Sequence, residues 1–156
     1  KGYYLLKEAV LAAQPANLEF LVVDHSREED YEQHSYWGKV PVRFIGRVSQ
    51  ERIVELYRQM DVLFAPSLWP ESFGLVTREA AACGCWVVAS NRGGIGEDVV
   101  EAETGFVISP EKGELKNALV NLDSRFNLFK QNVDLKRINK SLMQTTILKE
   151  IYLGTD

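Results

Sequence analysis

The sequence lacks several features, and each absence narrows what the chain can be. No apolar run comes near the roughly 20 residues that a helix needs to cross a bilayer, and no secretory leader pattern opens the chain. Basic charge is not in excess: 18 lysines and arginines stand against 22 aspartates and glutamates, a net charge of -4. That balance argues against a broad basic face that grips nucleic acid or an anionic membrane. Histidine and cysteine are scarce, with two of each. Cys83 and Cys85 have a single glycine between them. A disulfide over so short a loop would be strained, and two thiols alone make a poor metal site. Both are expected as reduced, small buried side chains. His25 and His34 sit in polar, loop-like stretches and read as solvated or structural. Internal repeats, low-complexity segments and a second domain are also missing.

What is present is one ordinary globular domain of 156 residues, 46% hydrophobic, with enough apolar chain to bury a core. It opens with Lys1 directly at a helical pattern, which leads us to expect a piece of a longer polypeptide. Gly2 to Gln14 repeats apolar residues at helical spacing and stops at Pro15. Leu18 to Asp24 is a continuous apolar strand. Arg27 to Gly38 is charged, with Tyr31, Tyr36 and Trp37, and reads as an irregular or partly helical excursion. Pro41 introduces the strand Val42 to Ile45. Ser49 is a good N-cap for a helix from Gln50 to Gln59. Strands follow at Val62 to Ala65, Trp86 to Ala89 and Gly105 to Ile108, with a helix from Leu75 to Cys83 that ends at Gly84. Beyond Pro110 the pattern is helical, with C-terminal helices over 124–156.

Strands alternating with helices are the signature of βαβ units. The fold expected is an α/β, Rossmann-like, doubly wound and mostly parallel sheet flanked by helices, covering 1–156. Gly46–Val48, Ser67–Gly74 and the glycine-rich turn Asn91–Gly96 all follow strands. In open parallel sheets such loops form the crevice where ligands bind.

The richest stretch is Ala65 to Gly84, APSLWPESFGLVTREAAACG. Pro66 and Pro70 stiffen a loop, and Glu71-Ser72-Phe73-Gly74 leads into a helix. A helix start offers unpaired N–H groups and the positive end of a dipole, where phosphate binds readily. Gly74, without Cβ, lets a ligand approach the main chain. Taken alone, Ser72 reads first as an ordinary N-cap. Glu71 and Glu79 flank this turn with seven residues between them. Carboxylates are acceptors only and suit the paired hydroxyls of a ribose or hexose. Glu79 reads alternatively as a solvated residue pairing with Arg78 or Arg92.

The combination Pro66-Ser67, Glu71-Ser72-Phe73-Gly74-Leu75-Val76, Glu79-Ala80 and Gly84 closely resembles a known family. It is the C-terminal domain of retaining GT-B glycosyltransferases that carry the glutamate–seven residues–glutamate motif, the glycosyl transferases group 1. Val42 to Gly46, Leu56-Tyr57, Val87 to Ala89 and Thr104-Gly105 match as flanks. The resemblance runs from Lys1 to about Pro110. It implies that Glu71 holds a hydroxyl of the donor hexose. The backbone at Ser72, Phe73 and Gly74, with Leu75 and Val76, would cradle the diphosphate. Glu79 would clasp the ribose, and Gly46, Arg47 and Val48 would line the base pocket. Lys1-Gly2 looks like the end of the family's Arg-x-x-x-x-Lys-Gly segment, which makes Lys1, with Glu71, the implied catalytic pair.

The implied reaction is retaining transfer of a sugar from a nucleoside-diphosphate sugar to an acceptor hydroxyl. Polysaccharide, lipopolysaccharide or glycolipid synthesis is the expected setting. The implied partners are that donor, an acceptor saccharide or lipid, and an N-terminal domain of the same polypeptide, with no nucleic acid. The first strand of the domain is expected upstream of Lys1. No metal or other cofactor is implied, in keeping with the lack of an Asp-x-Asp pair. The expected place is the cytoplasm, with peripheral contact at the inner face of the membrane through the other domain. The chain departs from the family at Asp24-His25-Ser26-Arg27, where a glycine-rich turn is common, and at Trp86 and Gly96, where proline is frequent. Two rival readings remain. One is a non-catalytic GT-B-like binding or scaffold module. The other is a synthase or phosphorylase of the same fold, although nothing around Lys136, Lys140 or Lys149 suggests a pyridoxal site.

Overall fold

Tyr3 to Ala13 contains neither glycine nor proline and forms helix α1 (Tyr3–Ala13), closed by Gln14 at φ 45°. A side chain rarely adopts that left-handed backbone, and here the amide of Gln14 compensates for it. Its Nε2 donates to Val10 O at 3.3 Å and to Trp37 O at 3.1 Å, and its Oε1 accepts from Lys39 N at 2.7 Å. The computed structural model describes residues 2–100 and 103–125. Lys1 and the helical pattern expected beyond residue 125 lie outside the described residues.

After α1 come β1 (Phe20–Val23), β2 (Glu32–Trp37), β3 (Val40–Ile45), α2 (Ile53–Arg58) and β4 (Val62–Ala65). They are followed by α3 (Leu75–Ala82), β5 (Trp86–Ser90), a 3₁₀ turn at Gly94–Gly96, β6 (Gly105–Ile108) and α4 (Lys112–Ser124). The fold is α/β, with parallel strand pairs flanked by helices. β1 pairs with β3 in parallel, and β4, β5 and β6 are parallel throughout.

Three expectations need correction. The stretch read as an irregular excursion contains β2, which runs antiparallel to β3 with Trp37 opposite Val40. It is an edge strand of polar residues, mostly exposed, so it carries no apolar alternation. Second, α2 begins at Ile53, not Gln50, and Ser49 does not cap it. The Ser49 carbonyl instead accepts from Arg52 N at 3.0 Å, closing a turn ahead of the helix. Third, the hydrogen bonding divides the strands into two three-stranded sheets, ordered β1-β3-β2 and β4-β5-β6.

The two sheets nevertheless share one core. Ala9 and Val10 of α1 and Leu115, Leu119 and Leu122 of α4 are buried with Phe20, Trp37, Val42, Val88 and Ile108. The rings of Phe20 on β1 and Phe64 on β4 meet at 5.9 Å between centroids. On the other face, Val87 and Ala89 pack with Ala81 of α3, while Tyr57 of α2 packs with Ala80 and Cys85. Alternate residues of β5 thus bury against opposite helical layers, as a sheet covered on both sides requires. Both cysteines are free thiols, and Cys85 donates to the Tyr57 carbonyl at 3.1 Å. Burial pushes the Cys83 thiol above its ordinary pKa.

Candidate functional site

β4 delivers the chain at Ala65 to a loop whose course is set by its own polar groups. The buried Ser67 hydroxyl donates to Trp69 O at 3.1 Å. The loop then runs beside the glycine-rich turn: Glu71 N donates to Arg92 O at 3.1 Å, and Gly94 N donates to Glu71 O at 2.7 Å. Glu71 and Gly93 form a parallel bridge, with Gly93 at φ 72° and ψ -152°, a conformation open to glycine. A Cβ there would strike the Glu71 backbone.

Gly74 makes the corner into α3. It sits at φ 69° and ψ 51°, and a Cβ would come within 2.6 Å of Ile95 Cα. Its carbonyl receives the first helical bonds, from Thr77 N at 3.2 Å and Arg78 N at 3.3 Å. The Thr77 hydroxyl lies between the carbonyls of Gly74 and Ile95, at 2.7 and 3.0 Å, and ties the corner to the glycine-rich turn. No side chain caps α3, so Ser72, which is exposed, is not its N-cap. The N–H groups of Leu75 and Val76 are first-turn donors, for which a helix supplies no internal acceptor. At the other end, α3 stops at Ala82, and Gly84 takes the φ of 87° suited to a helix-ending glycine.

Glu79 lies partly buried along α3. Its partner is neither Arg78 nor Arg92: the buried Tyr57 hydroxyl of α2 donates to its Oε2 at 3.1 Å. Burial raises the Tyr57 pKa strongly, and the Glu79 charge beside it adds to the rise. Glu71, Ser72, Phe73, Gly74, Leu75, Val76 and Glu79 therefore belong to one continuous structural unit at the carboxyl end of β4.

Gly46, Arg47 and Val48 follow β3, also at a carboxyl end. Gly46 N donates to Tyr31 O at 2.9 Å and Arg47 N to Arg27 O at 3.1 Å. A Cβ on Gly46 would collide with the Glu28 carbonyl, and the Arg47 guanidinium pairs with the Glu28 carboxylate. Two of the amides in this stretch thus serve the loop itself. In the turn after β1, Asp24 Oδ1 accepts from Ser26 N and Oγ at 3.0 and 2.6 Å. Those bonds hold its carboxyl below the usual range and build by side chain a turn that glycine often makes. Gly2 packs so closely on Pro66 that a Cβ would meet the Pro66 carbonyl, which sets the start of α1 beside the β4 loop.

The sequence reading missed two residues that support the site. In the sequence Tyr57 stands out only as a flank of the motif. Arg78, next to Glu79 in a helix whose other residues are Leu75, Val76, Thr77 and three alanines, carries its charge at only 13% side-chain exposure. Its Nε lies 2.6 Å from Asp98 Oδ2. The available signal is the acidic pair Glu97-Asp98 just after the glycine-rich turn, 19 and 20 residues downstream.

Comparison with known proteins gives the family and agrees with the fold. The model of the family described as glycosyl transferases group 1 matches residues 1–122. A D-inositol 3-phosphate glycosyltransferase of Rhodococcus jostii (strain RHA1) is 42% identical over 73 residues, 47% of this chain and 16% of that protein. A solved glycosyltransferase from Rickettsia africae ESF-5 superposes with a TM-score of 0.70 at 26% identity, covering 99% of this chain and 45% of its own. Anabaena HepE in complex with UDP-glucose superposes with a TM-score of 0.68 at 26% identity, covering 94% of this chain and 41% of its own. The chain thus spans less than half the length of the proteins it matches.

Proposed function

The chain belongs to the glycosyl transferases group 1 family, and from that premise we propose that it holds a nucleoside-diphosphate sugar for transfer to an acceptor hydroxyl. The observation that carries this reading is the start of α3, where no side chain caps the helix and Gly74 makes the corner between Glu71 and Glu79. Diphosphate is the ligand such a helix start favours, through its N–H groups and dipole. The two carboxylates, which repel phosphate, serve the sugars on either side: Glu71 a hydroxyl of the transferred hexose, Glu79 the ribose. Ser72, Phe73, Gly74, Leu75 and Val76 supply the backbone cradle. The stretch from Gly46 to Val48 borders the base, and Lys1 adds positive charge to the leaving group. UDP-glucose in the Anabaena relative makes a UDP-sugar the first donor to test.

In the proposed reaction the bond between the anomeric carbon and the diphosphate oxygen breaks, and its electron pair leaves with the diphosphate. The acceptor oxygen bonds to the same face of that carbon, and its proton passes to the departing diphosphate. Fixed N–H donors stabilise the charge that develops there without a metal ion. In the complete polypeptide a second domain closes the opposite side of a GT-B cleft and brings the acceptor, so the isolated chain binds nucleotide weakly and transfers no sugar. β1 and β4 each stand at the edge of their sheet, and in this reading a further strand of the complete polypeptide pairs there. A thermal-shift panel of UDP, GDP, ADP and dTDP tests the reading, because a ligand of the native state alone raises the midpoint. One of the four should stabilise the chain, and Glu79→Ala should reduce the shift. An equal shift in the variant would remove the ribose role.

A further inference from the structure

Arg78 sits at the centre of a closed set of contacts. On one side its guanidinium lies against the Phe73 ring, 3.8 Å from the centroid. On the other it meets Asp98 Oδ2 at 2.6 Å and Glu97 Oε2 at 3.5 Å, and NH1 lies 3.4 Å from the Gly94 carbonyl. Gly94 in turn donates its own N–H to the Glu71 carbonyl. The turn from Glu71 to Gly74 is thus held at both ends by the loop from Gly93 to Asp98: through backbone at Glu71, and through the arginine at Phe73. A guanidinium suits this task because its plane stacks on an aromatic ring while its edge donates to carboxylates. Partial burial of the charge strengthens both contacts and makes the loss of either partner costly.

We propose that Arg78 is a positioning residue of the donor site. It fixes the backbone N–H groups of Ser72, Phe73 and Gly74 in the array that receives the diphosphate, without itself touching the donor. This deepens the function proposed above and rests on it. The consequence is selective. A ligand with a diphosphate should feel the loss of Arg78, whereas a ligand with only base and ribose should not, since Glu79 is held from α2 by Tyr57.

The test is an NMR titration of the chain with UDP and with uridine, or with whichever diphosphate of the panel binds and its nucleoside. Arg78→Met, of similar length without charge, should weaken diphosphate binding about tenfold, the scale expected when preorganised groups lose their alignment. Uridine affinity should stay within about twofold of wild type by the same reasoning. Arg78→Lys keeps the charge but not the planar stack and should fall in between. Should Arg78→Met fail to fold, Asp98→Asn replaces it: this more exposed partner loosens the clamp from outside and should give a smaller loss with the same selectivity. Unchanged diphosphate affinity in the folded variants would overturn the positioning role, as would equal losses for diphosphate and nucleoside. A wild-type chain that binds none of the four diphosphates would overturn the donor-site reading itself.

Discussion

Replacing Tyr57 by phenylalanine removes one oxygen and leaves the ring in its cluster with Ala80 and Cys85. The oxygen that goes is the donor to Glu79 Oε2, 3.1 Å away. Hydrogen bonds to charged acceptors are worth about 1.5–3 kcal/mol net. Glu79 is only partly buried, so water recovers some of this, and a loss somewhat below that range, about 1 kcal/mol, is expected. A loss of that size lowers the melting midpoint by roughly 4 °C. If the bond also holds Glu79 ready for the ribose, nucleotide affinity falls by about fivefold, the equivalent of 1 kcal/mol. Scanning calorimetry of Tyr57→Phe, Glu79→Ala and the double variant measures the first effect, and titration calorimetry the second. In the Glu79→Ala background, Tyr57→Phe should cost no further affinity, since the coupling has already gone. Full affinity in Tyr57→Phe, or additive losses in the double variant, would refute the reasoning. The raised pKa of Tyr57 adds a pH signature with a definite sign. The folded state favours the neutral phenol, so this contribution is complete below the unfolded tyrosine pKa and is lost as pH rises through the folded one.

Gly74→Ala places a Cβ 2.6 Å from Ile95 Cα at a left-handed φ. It should cost about 2–4 kcal/mol in urea denaturation and abolish nucleotide binding, because the corner itself must move. Leu119→Ala opens a cavity in the core shared by α1 and α4, where Leu119 is fully buried. The same denaturation assay should register about 2–5 kcal/mol. Ser90→Ala should be neutral or stabilise by up to about 1 kcal/mol, because the buried Ser90 hydroxyl has no hydrogen-bond partner among the described residues.

Much of the site was legible because its signals are local. Gly74, the two glutamates and the apolar strand Val62–Ala65 lie within a few turns of chain, and each residue type has its own physical reason to be there. The strands β5 and β6 were legible for the same cause: short apolar runs bounded by turns. The missed features depend on partners distant in sequence. β2 is a strand only because β3 lies beside it, and its sequence EQHSYW shows no buried face until Trp37. The bond from Tyr57 to Glu79 spans 22 residues, and Arg78 meets Asp98 across a turn whose path was unknown. The division into two sheets was equally invisible, since apolar runs identify strands but not their neighbours.

The start of α3 is the proposed diphosphate cradle, and an amide-resolved NMR titration with a nucleoside diphosphate tests that role most directly. The largest shifts should fall on the N–H groups of Ser72, Phe73, Gly74, Leu75 and Val76, and the parent nucleoside should leave those five nearly unmoved. Diphosphate binding that shifts amides elsewhere and spares these five would contradict that role.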